Sequence, residues 1–271
     1  EATVQAKGEL VEDLAEDGWA VLNADDANVA GMASRTKARI AWTGTGDLPE
    51  GALQVRASDV TVDAISRARF TLEVTDERGT TRAPVALAVI GRHQVGNALA
   101  AAAVGVIAGM DVADVATALS EAVARSSWRM ALTTLPDDAM LVNDAYNANP
   151  ESMEAALRTV AEMAAANRER HPSAVVRAVI GDMLELGASA HEEHVAVGRL
   201  CADLGVAQVV AVGEFADAVV EGARENVAHV AAAARDDVLD LLDIAPGDVV
   251  LVKGSRGVGL EAVAAALEEA R

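Results

Sequence analysis

The chain has 271 residues and a formal net charge of −20, with 52% apolar residues but only 2% aromatic ones. That length holds two domains of ordinary size, and the acidity excludes nucleic acid as a partner because no basic patch is available to neutralise phosphates. No apolar run approaches the roughly 20 residues of a membrane-spanning helix, so a membrane protein of that kind is excluded too.

In chain order, residues 3–15 read as an amphipathic helix, with Val4, Leu10, Val11 and Leu14 on one face. Gly18–Leu22 is a short strand ending at Asn23-Ala24-Asp25-Asp26, and a helix runs on to about Ala33. Arg39–Trp42 is a further strand. From Leu53 to Val89 the period becomes two: Phe70, Leu72 and Val74 alternate with polar residues, and Asp76-Glu77-Arg78-Gly79 turns the chain into Val85, Leu87 and Val89. Helices follow over 93–108 and 112–124, then strands over 130–135 and 140–142. After Pro150 strands and helices alternate. A helix runs to about Asn167, with strands at 174–180, 208–212, 228–230 and 249–252. Helices at 190–204, 215–224, 236–242 and 259–269 separate or follow them. That alternation implies a parallel sheet in three layers. The expected division is 1–148 and 149–271, with a hinge turn near 148–150.

Residues able to do chemistry gather where strands end. Met140-Leu141-Val142 is a buried strand that runs out at Asp144. Asn149 is a good N-cap and Pro150 suits a first helical turn. Delivering Asp144, Asn147 and Asn149 into one turn is ligand-facing geometry in an open sheet, and equally the pattern of a well-capped strand-to-helix turn. Gly181-Asp182-Met183-Leu184-Glu185-Leu186-Gly187 and Lys253-Gly254-Ser255-Arg256 also follow strands directly. The second lacks the order of a phosphate loop, and His191-Glu192-Glu193-His194 lacks both the spacing and a third ligand for zinc. Lysine occurs only at positions 7, 37 and 253, and a chain that otherwise uses Arg keeps Lys where an amine is required. Unaided, Lys7 reads as a solvated lysine, His93 as a helix-start residue and Arg129 as an arginine before a strand. The single cysteine, Cys201, reads as a small buried hydrophobe. One cysteine cannot form an internal disulfide, and Glu1 opens within a helical pattern rather than a signal peptide, so a cytoplasmic protein is expected.

Asp144-Ala145-Tyr146-Asn147-Ala148-Asn149-Pro150-Glu151-Ser152-Met153 resembles the signature where the ATPase domain of a Mur ligase meets its C-terminal domain. The wording is most similar to the members that join D-alanyl-D-alanine to UDP-MurNAc-tripeptide. Gly181–Gly187 with His191 and His194, and Lys253–Arg256, are similar to further segments of the same type, as is Gly91-Arg92-His93-Gln94-Val95-Gly96-Asn97-Ala98-Leu99-Ala100. The resemblance implies an α/β fold: part of the central domain, a sheet with a β-rich meander, followed by a Rossmann-like three-layer C-terminal domain. It implies ATP and Mg²⁺, and an acyl phosphate that the amine of D-alanyl-D-alanine attacks.

The same resemblance makes Lys7 a carbamylated Mg²⁺ ligand and places Asn97 by the adenine. Arg129 lies near the ATP phosphates, although Trp128 stands where the family has Gly. Asp144 is the ribose-side acid, and Asn147 and Asn149 form the nucleotide-side turn. Asp182, Glu185, Lys253, Ser255 and Arg256 face the incoming dipeptide. Gln94 replaces the family's Asn and takes no role. A Gly-x-x-Gly-Lys-Thr loop and a UDP-sugar-binding domain are not in the sequence, so the chain is expected to be inactive alone, its front half supplied elsewhere. A ligase of a neighbouring type, such as the meso-diaminopimelate-adding enzyme or folylpolyglutamate synthase, and a non-catalytic module that kept the fold are the alternatives.

Overall fold

The computed structural model describes residues 2–124 and 128–269; Ser126 and Ser127, which precede Arg129 in the sequence reading, and Glu1 lie outside the described residues. The chain divides into two compact units, Glu1–Asp63 with Arg67–Val123, and Ala64–Ser66 with Ala124–Arg271.

In the first unit, α1 (Ala2–Glu12), β1 (Trp19–Asn23), α2 (Ala27–Gly31) and β2 (Arg39–Gly44) precede β3 (Leu53–Val62), β4 (Arg67–Asp76) and β5 (Gly79–Ile90). Helices α3 (Gln94–Ile107) and α4 (Val112–Glu121) close it. The strands form one sheet in the order β1-β2-β3-β4-β5. β3 runs parallel to β2 and antiparallel to β4, so the meander extends the parallel strands rather than interrupting them. Period two explains β4: Ala68, Phe70, Leu72 and Val74 are buried between polar neighbours. Pro84 is tolerated because β5 is an edge strand. Against this face α3 lays Val95, Ala98, Leu99, Ala102 and Ala103, one stripe at three- and four-residue spacing.

The second unit contains β6 (Ala131–Thr134), β7 (Met140–Asp144), α5 (Pro150–Asn167), β8 (Val176–Gly181), α6 (Ala190–Asp203) and β9 (Gln208–Val212). It continues with α7 (Ala216–Ala223), β10 (His229–Ala233), α8 (Val238–Leu241), β11 (Val249–Lys253) and α9 (Glu261–Glu269). Its sheet order is β10-β9-β8-β11-β7-β6, all parallel except β6. β8, β9 and β11 are buried along their whole length, which is why they are mostly apolar rather than alternating; their polar members Arg177, Gln208 and Lys253 are buried as well. The expected division at 148–149 differs from the observed one at 123–124: β7 bonds to β11 along its full length and carries β6 with it. At the N-terminal ends of the strands, the buried Arg177 guanidinium gives Nε to Asp248 (2.7 Å) and Nη1 to Gln208 (3.0 Å). Asp248 also accepts the Val175 and Ala245 amides, so this buried charge pair is fully used by the fold.

Candidate functional site

Chain order and sheet order part company in the second unit. β8, β9 and β10 step outward, and β11 then inserts between β8 and β7. Ligands of open α/β sheets sit outside the carboxyl ends of strands at such a switch point. Here those ends deliver Asp144 from β7, Gly181 and Asp182 from β8, and Lys253 through Arg256 from β11. Two glycines let the loops meet: a Cβ on Gly254 would lie 2.9 Å from the Cα of Gly181.

Lys253 and Asp144 are register partners across β7 and β11. The ammonium donates to Asp144 Oδ2 at 2.5 Å and to the Asn147 carbonyl at 2.9 Å, and the two side chains are 2% and 14% exposed. Asp144 Oδ1 accepts the Met130 amide at 3.0 Å. Lys253 was expected to face substrate; it is buried, and its two bonds pin the 144–147 turn. Ser255 is likewise buried, taking the Leu184 amide at 3.0 Å and lying 3.5 Å from the Ala148 carbonyl. Asp182 is buried with its two oxygens on the amides of Glu214 (2.8 Å) and Phe215 (2.9 Å). Asn149 caps α5 through a reciprocal pair with Ser152. Lys253, Ser255, Asp182 and Asn149, among the residues that the sequence offered as contacts for ligand, thus spend polar groups on holding the loops in place.

What the loops expose is positive and aromatic. The Arg129 guanidinium lies 4.0 Å from the ring centroid of Tyr146, and Arg256 lies 5.7 Å from Trp128 and 6.0 Å from Tyr146. Rings attract these cations through their negative faces and fix long side chains that would otherwise wander. Both arginines are exposed, as are Asn147 and Glu185. Glu185 has φ +66, the left-handed region, in a residue other than glycine. Tyr146 and Trp128 were not among the expected site residues. The signal was their rarity, since this is the one tyrosine of the chain.

The zinc alternative disposes of itself: His194 is buried and bonded on both ring nitrogens, while His191 is exposed. Among the described residues no group of three or more His, Cys, Asp or Glu side chains could hold a metal ion. Cys201 is buried, which pushes its thiol up to about 12 and leaves it unreactive. No described helix is long and apolar enough to cross a membrane.

The first unit holds the remaining candidates. Lys7 is exposed on α1, beside Gly8, whose missing side chain admits the Arg35 guanidinium. Asn97, exposed on α3, donates to Gln94 at 2.9 Å. His93 makes no side-chain cap bond to α3, and its ring folds over Gly91. Clefts on this unit include one of about 870 Å³ beside Trp19 and Arg39 and one of about 500 Å³ over Arg56, Glu73 and Arg82. The smaller is floored by a cross-strand ladder in which Glu73 takes both arginines at 2.7 and 2.9 Å. Bonds from Arg56, then Arg82, hold that carboxyl at about 2. Neither cleft gathers the acid, amine and anion-binding groups that the strand ends do, so the strand ends are the better site.

A model of the Mur ligase middle domain matches residues 1–105, and a model of the Mur ligase glutamate ligase domain matches residues 128–256. The UDP-N-acetylmuramoyl-tripeptide–D-alanyl-D-alanine ligase of Mycobacterium tuberculosis (strain H37Rv) is 42% identical over 98% of this chain and 54% of that protein. The enzyme of that name from Escherichia coli (strain K12) is 35% identical over 98% of this chain and 55% of that protein. A crystal structure of MurF from Acinetobacter baumannii superposes with a TM-score of 0.81 at 28% identity, covering 98% of this chain and 55% of that one. The chain therefore spans about half the length of the curated relatives it matches.

Proposed function

Because the chain belongs to the Mur ligase family, carrying its middle domain and its glutamate ligase domain, we propose that it serves an ATP-dependent, ADP-forming ligase that joins D-alanyl-D-alanine to UDP-MurNAc-tripeptide in the cytoplasm. These 271 residues match 54% of the length of one such relative, so the reaction is proposed for the full-length enzyme. The observation that carries the reading is the rim of the second sheet, where two exposed arginines share the Tyr146 ring beside a pinned loop that ends in Glu185.

The tripeptide carboxylate takes the γ-phosphoryl group of ATP and ADP leaves. The dipeptide amine then attacks the acyl carbon, loses its proton, and phosphate departs. Such a reaction is served mainly by positioning and by neutralising charge. Arg129 supplies positive charge to the phosphates. Arg256 takes the dipeptide carboxylate, for which a guanidinium fork is suited, and Glu185 takes its ammonium before deprotonation. Asp144 keeps lone pairs beyond its two internal bonds and remains 14% exposed, so it can accept a ribose hydroxyl. Lys253, Ser255, Asp182 and Asn149 hold those residues in place from behind, while Asn147 lies on the nucleotide side of the turn. Asn97 meets the adenine.

Mg²⁺ needs oxygen donors, and the described residues offer no carboxylate cluster. Carbamylation of the exposed Lys7 amine by carbon dioxide would create a carboxylate-like ligand able to hold Mg²⁺, and the ion would supply charge neutralisation at the phosphates. The chain's own acid residues thus need not surround the ion.

The test is a substrate panel with the full-length enzyme. UDP-MurNAc-tripeptide, ATP and D-alanyl-D-alanine should give ADP and a product heavier by the dipeptide. Meso-diaminopimelate, L-alanine or glutamate should give neither. A product with one of those amines, and none with the dipeptide, would move the chain to a neighbouring ligase type.

A further inference from the structure

The loop that leaves β8 is irregular yet held at each step. The Ser255 amide donates to the Asp182 carbonyl at 2.8 Å, and the Leu184 amide donates to Ser255 Oγ at 3.0 Å. Between them, the Met183 amide donates to Nε2 of His194 at 2.8 Å. A backbone N–H can only donate, so Nε2 is the acceptor and the ring carries its proton on Nδ1, 2.6 Å from the Ala190 carbonyl. His194 is 1% exposed.

The ring is gripped from the other side as well. It stacks on Phe215 with centroids 4.7 Å apart and planes 17° from parallel. Phe215 is itself tied to the loop, because its amide bonds to the Asp182 carboxylate. A glycine pair lets the two helices approach this closely. A Cβ on Gly198 of α6 would meet the Val219 carbonyl at 2.1 Å, and one on Gly222 of α7 would meet the Val195 carbonyl at 2.0 Å. The circuit Asp182–Phe215–His194–Met183 thus closes through two helices onto two consecutive residues of one loop.

A buried histidine is often no more than a satisfied filler of a helix face. Here a hydrophobe would fill the volume equally, but it could not accept the Met183 amide, which would be left buried without a partner. The next two residues are the ones the loop presents. Leu184 is 47% exposed and reaches over Gly257, and Glu185 sits in its left-handed conformation. Such a conformation persists only where the surroundings fix it.

We propose that His194 is a positioning residue for the incoming amine: by holding the Met183 peptide against Phe215, it sets where Leu184 and Glu185 stand beside Arg256-Gly257. This rests on the proposed ligase reading, in which that loop meets the dipeptide. It acts on the amine substrate and not on ATP.

His194→Phe keeps the stacked ring and removes the acceptor, whereas His194→Gln restores an acceptor on a flexible side chain. Two readouts are taken. One is hydrogen exchange at the Met183, Leu184 and Glu185 amides of this 271-residue chain; the other is KM for D-alanyl-D-alanine and for ATP in the full-length enzyme. His194→Phe should speed exchange at Met183 by about tenfold or more, while the amides of β8 stay protected. It should raise the dipeptide KM about tenfold and leave the ATP KM within about twofold. His194→Gln should recover most of both losses. Phe215→Leu, which spares the acceptor but removes the stacking, should shift the dipeptide KM in the same direction and serves if His194→Phe does not fold. Unchanged exchange at Met183, or dipeptide and ATP KM rising together, would overturn the proposal. Failure of the ligase reading looks different: the unmodified enzyme would not join the dipeptide at all, while the exchange result would stand.

Discussion

Lys253→Met keeps the length of the side chain and removes its charge. Asp144 Oδ2 loses a donor at 2.5 Å and the Asn147 carbonyl loses one at 2.9 Å, while Oδ1 keeps the Met130 amide. Breaking a fully buried ion pair by removing one partner costs about 3–5 kcal/mol, because the survivor stays charged and unpaired. Asp144 is 14% exposed, and water can relieve part of that penalty. The expected loss in the second unit is therefore about 2–4 kcal/mol. Asp144→Asn keeps an acceptor for Met130 and removes the other half of the pair. The two changes together should cost less than their sum, by about 1 kcal/mol or more. Urea unfolding followed by circular dichroism and tryptophan fluorescence gives the numbers. Trp128 reports on the second unit and Trp19 and Trp42 on the first, so the two units need not be assumed to unfold together. A loss under about 1 kcal/mol, or strictly additive changes, would refute the pin that we assign to Lys253.

Other outcomes follow from single contacts. Gly254→Ala forces a methyl group to within 2.9 Å of the Gly181 Cα, backbone against backbone, and should destabilise the second unit by about 1–3 kcal/mol in the same urea titration. Arg256→Ala should raise the dipeptide KM at least about tenfold with little change in the ATP KM, and Arg256→Lys should recover only part of it, since the fork is lost. Glu73 has a carboxyl held at about 2 against an ordinary 4.5, so its contribution is whole above the ordinary value and is lost as pH falls from there toward 2. Because Arg56 and Arg82 are 37% and 60% exposed, solvent screens the ladder, and Glu73→Gln should cost on the order of 1 kcal/mol at pH 7 and almost nothing at pH 2 by thermal melts. Native Cys201 should resist iodoacetamide at pH 8 and react only on unfolding, read by intact mass.

Much of this architecture was legible because it is local. Val249–Val252 is a short unbroken apolar run, as suits a strand buried on both faces. Asn149-Pro150 announced the start of α5, and the cap is there, with Ser152 as its reciprocal partner. Less local facts were not legible. That β3 joins the parallel and antiparallel halves depends on its pairing with β2, far from its own sequence signal. The helix expected over 236–242 is a tight turn at Arg235–Asp237 followed by the four-residue α8, too short for periodicity to define.

The site shows the same limit. The motifs named loops that the strand ends bring together, but not which of their side chains are buried. Lys253 follows a strand just as a substrate-binding cation would, and only the insertion of β11 beside β7 brings Asp144 to its amine. Asp182 is an acid after a strand, and only the return of the chain at Glu214 and Phe215 consumes both its oxygens. Contacts set by sheet order cannot be read from spacing.

The most direct test of the central claim, an ADP-forming ligase acting through an acyl phosphate, follows an oxygen label. The tripeptide carboxylate of UDP-MurNAc-tripeptide is made with heavy oxygen, the full-length enzyme is given ATP and D-alanyl-D-alanine, and the released phosphate is weighed. The account predicts one heavy oxygen in inorganic phosphate for each dipeptide joined. Label carried into AMP, or phosphate released without label, would contradict it.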